Sequence, residues 1–409
     1  MATPTVFAQV VGLGHREIFR RCVQRYQGDA WIKDFGCHDQ WLAMAFAQLT
    51  FRESLRDLES SLCSRSELLY QMGFRSHVRR STLADANERR DWRIYADWAQ
   101  SLIRRARRLY AAEPFALELD QTVYAFDATV IDLCLSLFPW AHFRSTKAAI
   151  KLHTLLDLRG SIPTFLALPE GAVHDVNLLD DIPVEPGSIY VMDRGYLDFS
   201  RLARFTQAGA FFVIRAKANL HSHVSASRPV DRSTGLRCDQ SIRLRWFYSR
   251  KSYPDLLRRI RYLDPEQGRS LVFLTNHFSL PALKITEIYK ARWQIELFFR
   301  WIKQHLRIRS FMGTSDNAVR IQIWSAISTY LLVAILKKTL CLEPSLHEIL
   351  QVLSVTPFEK VPIPELFAAR FTQLDEANFT DDFPNFGLAS KKWTPIQAAL
   401  MSLFEIASI

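Results

Sequence analysis

Apolar residues return every three or four positions from about Phe19 to Tyr110, as in the set Trp41, Met44, Ala45 and Leu49. That period lays one apolar stripe along a helix, so residues 1–113 are expected to form an all-α domain. After Pro114 the pattern shortens. Residues 121–126 read as a strand ending at Asp127, and residues 149–156 and 162–168 read as a hairpin around Arg159, Gly160 and Ser161. Another short apolar strand, 188–192, ends at Asp193; a helix over Phe199–Gln207 and a strand over 211–214 follow. Strands interleaved with a helix predict an α/β sheet domain over residues 114–312.

Within that domain, residues 216–269 turn polar and arginine-rich with short β-like pieces such as 242–248, which reads as a β-rich insertion before strand character resumes at 271–274. A long helix is expected over 284–306, another over 321–336 and a third over 345–353. Gln322, Ser325, Ser328 and Thr329 interrupt the second of these, and it is shorter than the ~20 residues of a membrane span, so it reads as a buried helix. Residues 313–409 thus form a C-terminal helical region and a tail, which from about Phe371 is weakly periodic and carries Asp375, Glu376, Asp381 and Asp382.

Charge narrows the class. The 409 residues carry a formal net charge of +10, with 52 Lys and Arg, which suits a polyanionic partner and points first to nucleic acid. Arginines cluster at Arg75, Arg79, Arg80, Arg89, Arg90 and Arg93 and again at Arg104, Arg105, Arg107 and Arg108. The six cysteines are scattered without a CxxC pair and read as reduced thiols. His221 and His223 have no third ligand nearby, no HExxH occurs, and no P-loop is present, so neither zinc nor ATP is expected. The N-terminus lacks the pattern of a signal peptide, which places the protein in the cytoplasm, away from membranes.

Candidate chemistry starts with the two carboxylates at strand ends, Asp127 and Asp193, because strand ends of α/β sheets converge on a crevice. The segment YKARWQIELFFRWIK adds Tyr289, Arg292, Glu296 and Lys303, separated by three, four and seven residues. At about 100° per residue these four fall within an arc of roughly 60°, a single polar helix stripe. Read alone, the stripe is equally a solvent-facing surface with an Arg292–Glu296 ion pair.

The Tyr, Arg, Glu, Lys spacing resembles the signature of insertion-sequence family four transposases, a group of DDE recombinases. DATVIDLCLSLFPWAHFRSTKAAIKLHTLLDL around Asp127 and VMDRGYLDF around Asp193 resemble its two Asp regions, and the likeness runs from about Val123 to Phe311. It implies an RNase H-like mixed sheet with a β-rich insertion, preceded by an all-α domain, 1–113, that binds DNA ends. It also implies that Asp127, Asp193 and Glu296 hold two Mg²⁺ ions, about 3.5–4 Å apart and replaceable by Mn²⁺, for phosphoryl transfer on DNA. Around them Arg292 and Lys303 would bind phosphates and Tyr289 would hydrogen-bond or stack, with Lys147, Lys151, Arg194 and His153 as further candidates. Trp246, the one tryptophan of the insertion, would stack a flipped base if excision passes through a hairpin. Asp132, Asp157, Asp175 and Asp198 read as caps and turns. The implied reaction is cut-and-paste transposition, with double-stranded DNA bearing terminal inverted repeats and target DNA as partners of a homodimer. The rivals are an RNase H-fold nuclease without strand transfer and an inactive DNA-binding relic.

Overall fold

The structure, a computed structural model, describes residues 3–113, 115, 117–144, 147–169, 174–265, 268–305 and 311–368. The tail expected from residue 371 lies outside the described residues. Met1–Pro364 form one compact unit and Glu365–Ile409 a second; all elements named below lie in the first.

Six helices come first: α1 (Val6–Gly12), α2 (Arg16–Arg25), α3 (Cys37–Leu49), α4 (Leu55–Cys63), α5 (Arg80–Arg89) and α6 (Arg93–Tyr110). In α6 the buried set Ile94, Tyr95, Trp98, Leu102, Ala106 and Tyr110 keeps the helical period, while Arg104 and Arg108 stay exposed. Strands β1 (Val123–Leu133), β2 (His142–Arg144), β3 (Lys147–Asp157), β4 (Ile162–Ala167), β5 (Ile189–Met192) and β6 (Phe211–Arg215) follow, with α7 (Phe199–Gln207) before β6. Next are β7 (Ser222–Arg228), β8 (Leu236–Leu244), α8 (Phe247–Ser252), β9 (Leu257–Asp264) and β10 (Arg269–Thr275). The chain then turns helical again through α9 (Ala282–Ala291), α10 (Trp293–His305), α11 (Asp316–Thr339) and α12 (Leu346–Val355).

The ten strands form one sheet of order β2-β3-β1-β5-β6-β10-β9-β8-β7, with β4 also paired to β3. β3 is antiparallel to β1 and β4, whereas β1, β5 and β6 run parallel. The run β4-β3-β1-β5-β6 is therefore the RNase H-like arrangement that the resemblance implies. The arginine-rich insertion continues the same sheet, since β9, β8 and β7 add antiparallel beyond β10. Tyr124, Phe126, Tyr190, Met192, Phe212 and Ile214 pack with Leu202 and Phe205 of α7, each fully buried large side chain contributing roughly 1.5–3 kcal/mol of hydrophobic stabilisation.

Three boundaries differ from the sequence reading. β1 does not end at Asp127 but runs on to Leu133, because β3 keeps pairing with it after β5 has stopped. Phe247 and Tyr248 are helical, in α8, and not part of a β piece over 242–248. The helix expected over 284–306 is two helices, α9 and α10, meeting at Arg292.

The hairpin turn between β3 and β4 requires its glycine. Gly160 has φ +72, and a Cβ there would stand 2.1 Å from the Tyr110 ring. That ring is fixed in turn by its hydroxyl, which donates to the carbonyl of Ala334 on α11 at 2.9 Å. Helix α11 is long and apolar enough to cross a membrane by length and composition, but its apolar window is wholly buried within the protein, where it packs against α3 and α6. It is the core helix that ties the N-terminal helices to the sheet unit.

Candidate active site

Register places the first two carboxylates. The parallel ladder between β1 and β5 closes with the pair Phe126 and Met192. Asp127 and Asp193 are the next residues along two chains spaced about 4.8 Å apart, so both stand at the carboxyl edge of the parallel core, Asp193 just past β5 and Asp127 still within β1. Asp127 is held further by its pairing with Thr154 of β3.

Helices α9 and α10 bring the rest. The former packs on β5 and β6 and the latter on β1. Where they meet, the Arg292 N–H donates to the Tyr289 carbonyl at 3.2 Å and the Ile295 N–H to the Arg292 carbonyl at 3.0 Å. These three-residue steps tighten the helix by a short 3₁₀ turn, a feature that often marks a functional position. The polar stripe then meets the sheet. The Tyr289 hydroxyl donates to Asp193 Oδ1 at 3.1 Å. Arg292 donates from Nη1 to Asp127 Oδ2 and from Nη2 to Glu296 Oε1, both at 2.7 Å. Lys303 Nζ donates to the Val130 carbonyl of β1 at 2.7 Å. The solvent-facing reading of the stripe is excluded by these contacts, although the Arg292–Glu296 pair it foresaw is present.

Burial pushes the Asp127 carboxyl up to about 6; the Ala128 N–H and Arg292 pull it back, while Glu296 and Asp193 push it further up. All three carboxylates therefore share one electrostatic neighbourhood. Burial, with Asp193 close by, likewise pushes the Tyr289 hydroxyl up to about 12. Among the described residues no three carboxylates, imidazoles or thiols stand close enough to share one ion as placed; the Arg292 guanidinium fills the gap between Asp127 and Glu296. The donor set fits a hard divalent cation, since it offers carboxylate oxygens alone and already holds a cationic group between two of them. Arg292 Nε is buried without a hydrogen-bond partner, so its N–H is left unused.

The family described as "Transposase DDE domain" matches residues 118–332, more than half of the chain. The chain belongs to the DDE transposase family. As such it is an enzyme that acts on DNA and depends on a divalent metal ion. A second match, to a domain of unknown function, DUF4372, covers residues 2–75. A putative transposase, y4zB, of Sinorhizobium fredii is 35% identical over 257 residues, 62% of this chain and 70% of its own. A probable transposase for insertion sequence element IS5377 of Geobacillus stearothermophilus is 30% identical over 220 residues, 53% of this chain and 57% of its own. Among solved structures, the piggyBac transposase in a synaptic complex with hairpin DNA matches at TM-score 0.46 and 9% identity, covering 96% of this chain and 89% of that one.

The transposase distributes its remaining candidates unevenly. Arg194 is exposed one residue beyond Asp193. Lys147 opens β3, and its side chain lies outside the described residues. Lys151 pairs with Asp175 at 2.5 Å, and His153, fully buried, has Nε2 3.7 Å from the same carboxylate. Trp246 precedes α8, is 60% exposed and rests on His221 at 5.2 Å between ring centres. Of the decoy carboxylates, Asp198 caps α7, Asp157 accepts the Arg159 N–H in the hairpin turn, and Asp132 is exposed on β1.

Two features escaped the sequence reading. Tyr196 is buried against Phe126 with ring centres 4.9 Å apart, and its hydroxyl lies in the field of Asp127, Asp175 and Asp193. Only its place three residues after Asp193 hinted at this. Not every arginine of the insertion is available to DNA, either. Arg258 is buried and donates to both oxygens of Asp239, at 2.8 and 2.7 Å, so it holds β9 to β8.

Proposed function

We propose that this transposase cuts the ends of an insertion sequence and joins them to target DNA, with Asp127, Asp193 and Glu296 as ligands of two Mg²⁺ ions that Mn²⁺ can replace. The observation that carries the proposal is the Arg292 fork spanning Asp127 and Glu296 while Tyr289, one turn earlier, holds Asp193. Two side chains of one helical stripe, Tyr289 and Arg292, thereby organise carboxylates from β1, from the residue after β5 and from α10. When bound, such ions polarise a phosphate and ease formation of the attacking oxygen nucleophile.

The chain's own groups do the positioning. Tyr289 fixes the rotamer of Asp193, and its ring is wedged against Phe273 at 4.7 Å between centres. Arg292 serves as the counter-charge of Asp127 and Glu296 until DNA arrives; its planar fork, with Nε unused, then suits two oxygens of a phosphate. Lys303, now on a backbone carbonyl, supplies a point charge on the same helical stripe, and Arg194 and Lys147 add further positive charge for phosphates. Trp246 is the base-stacking platform of a hairpin pathway, for which its exposure speaks. Residues 1–113 serve end binding, 114–312 the chemistry, and 313–409 the supporting helices and tail. Two ends must meet before joining, so the working form on DNA is a homodimer bound to terminal inverted repeats, in the cytoplasm at the nucleoid.

The test is a strand-transfer assay with a labelled 3′-hydroxyl end as donor and a plasmid as target, with Mg²⁺ and with chelator. Joined products that require the metal support the reading. Cleavage without joined products would identify a nuclease instead, and neither activity would identify a DNA-binding relic.

A further inference from the structure

A cleft of about 1100 Å³ opens in the N-terminal helices, within the segment matched by the domain of unknown function. Arg16 and Arg20 of α2, His38 in the first turn of α3 and Arg75 line it, and Asp29 and Ala30 of the intervening loop close one side. We propose that this cleft is a DNA site distinct from the residues of the cutting centre, gripping the phosphate backbone of a duplex with Arg16 and Arg75 while Trp31 reaches into the adjoining groove. The proposal rests on the reading of the protein as a DNA transposase and names where its N-terminal helices hold the duplex.

Two of the cleft's cations, Arg16 and Arg75, are left over by the fold. Arg16, Arg20 and Arg75 are all exposed. Among the described residues no carboxylate forms an ion pair with the Arg16 or Arg75 guanidinium, whereas the acids nearby are committed: Glu17 to Arg20 at 2.7 Å, Asp29 to the Cys37 N–H at 2.6 Å and the buried Asp39 to the Arg75 N–H at 2.9 Å. Both guanidiniums act on one ring: burial first, then Arg16 and Arg75, against a smaller pull from Asp29, hold the His38 imidazole down to about 4. His38 is thus neutral near pH 7, and its Nδ1 is buried without a partner. Two guanidiniums without an ion-pair partner beside a neutral imidazole make a site for a strong anion, and a transposase's obligatory polyanion is DNA.

The loop that walls the cleft supplies the second contact. It continues from Ala30 into Trp31, which is 99% exposed, and Ile32, which is 43% exposed. Trp31 also sits at φ +64, in the left-handed region that bulky residues rarely adopt. A tryptophan so placed contributes no burial to the fold. An apolar side chain projecting from a loop that borders a cationic cleft is what a protein places against base edges or between base steps.

The experiment uses the full chain with duplex DNA carrying the element's own ends, and follows the binding constant from about 50 to 200 mM salt. Each phosphate neutralised contributes about 0.9 to the slope of log affinity on log salt. The double variant Arg16→Ala/Arg75→Ala is expected to lower that slope by about 1.8 and to weaken binding, with an unchanged melting temperature because both side chains are exposed. Trp31→Ala should leave the slope alone and weaken binding about fivefold or more. Parent-like slope and affinity in the double variant would overturn the proposal. So would titrations in which only inorganic phosphate binding is lost while duplex binding is retained, which would mark a site for small anions. Asp127→Asn separates the two readings: it should abolish cutting and keep the parent slope, and a failure there would count against the cutting centre alone.

Discussion

Replacing Arg292 with Ala removes the one cation set between Asp127 and Glu296. Arg292 is 15% exposed and sits 2.7 Å from each carboxylate, so two charges are left facing each other in a partly desolvated site. Breaking such a buried pair costs about 3–5 kcal/mol when the orphaned charge has no relief. Here relief exists, because Asp127 already titrates at about 6. Neutralising it at pH 7.5 costs roughly 2 kcal/mol at 1.36 kcal/mol per unit, and proton uptake is the cheaper outcome. The folded value lies above the unfolded 3.8, so the associated stability is fully present at low pH and is lost as pH rises through about 6. Arg292→Ala should therefore lower the melting temperature by a few degrees at pH 7.5 and by much less at pH 5.5, without metal. Mg²⁺ should then raise the melting temperature of the variant more than that of the parent, in which the guanidinium competes for the same oxygens. Differential scanning fluorimetry at both pH values, with Mg²⁺ and with chelator, reads all of this. A pH-independent loss combined with equal metal effects in the two proteins would refute the counter-charge role.

Three further outcomes are expected. Trp246→Ala should leave the first nick on a labelled end nearly intact and slow hairpin formation or opening, by the ~1–3 kcal/mol of a lost stacking platform; parallel loss at every step with a lowered melting temperature would assign Trp246 to packing. His153 is fully buried and held down to about 4, so the unfolded chain gains a proton near 6.5 that the folded chain refuses until about 4, and stability falls as pH drops through that window. His153→Gln should flatten the melting-temperature profile between pH 6.5 and 4, by up to roughly 3 kcal/mol, and an unchanged profile would contradict the assignment. Gly160→Ala combines a strained positive φ with a collision on Tyr110, and should destabilise the protein by ~1–3 kcal/mol or more, read by chemical denaturation; a parent-like midpoint would show that the turn relaxes.

Much of this architecture was legible because its signals are local. The apolar period carried helices such as α6, and the polar stripe through Tyr289, Arg292, Glu296 and Lys303 named side chains of which Tyr289, Arg292 and Lys303 reach Asp193, Asp127 and Val130 and Glu296 pairs with Arg292. What failed depended on distant pairing. Asp127 reads as a strand end because a charged residue closes the run 121–126 there, yet β1 continues by pairing with β3 after β5 has stopped, a partner choice the local pattern does not show. The break at Arg292 has no glycine or proline to signal it; it accompanies a guanidinium spanning a strand carboxylate and a helix carboxylate. The insertion's arginines looked alike in sequence, and only the fold separates Arg258, spent on Asp239, from the exposed Arg250 and Lys251 beside α8's aromatics. Likewise the N-terminal cleft assembles Arg16, His38 and Arg75 from three distant stretches.

The most direct test of the central claim compares Glu296→Gln with the parent on one DNA substrate carrying matched element ends, measuring end binding and metal-dependent cleavage in the same samples. The substitution removes a charged ligand at nearly constant volume, so cleavage should be abolished while the binding constant stays within a few-fold of the parent. Cleavage surviving in the variant, or binding and cleavage lost together, would contradict a catalytic role for Glu296.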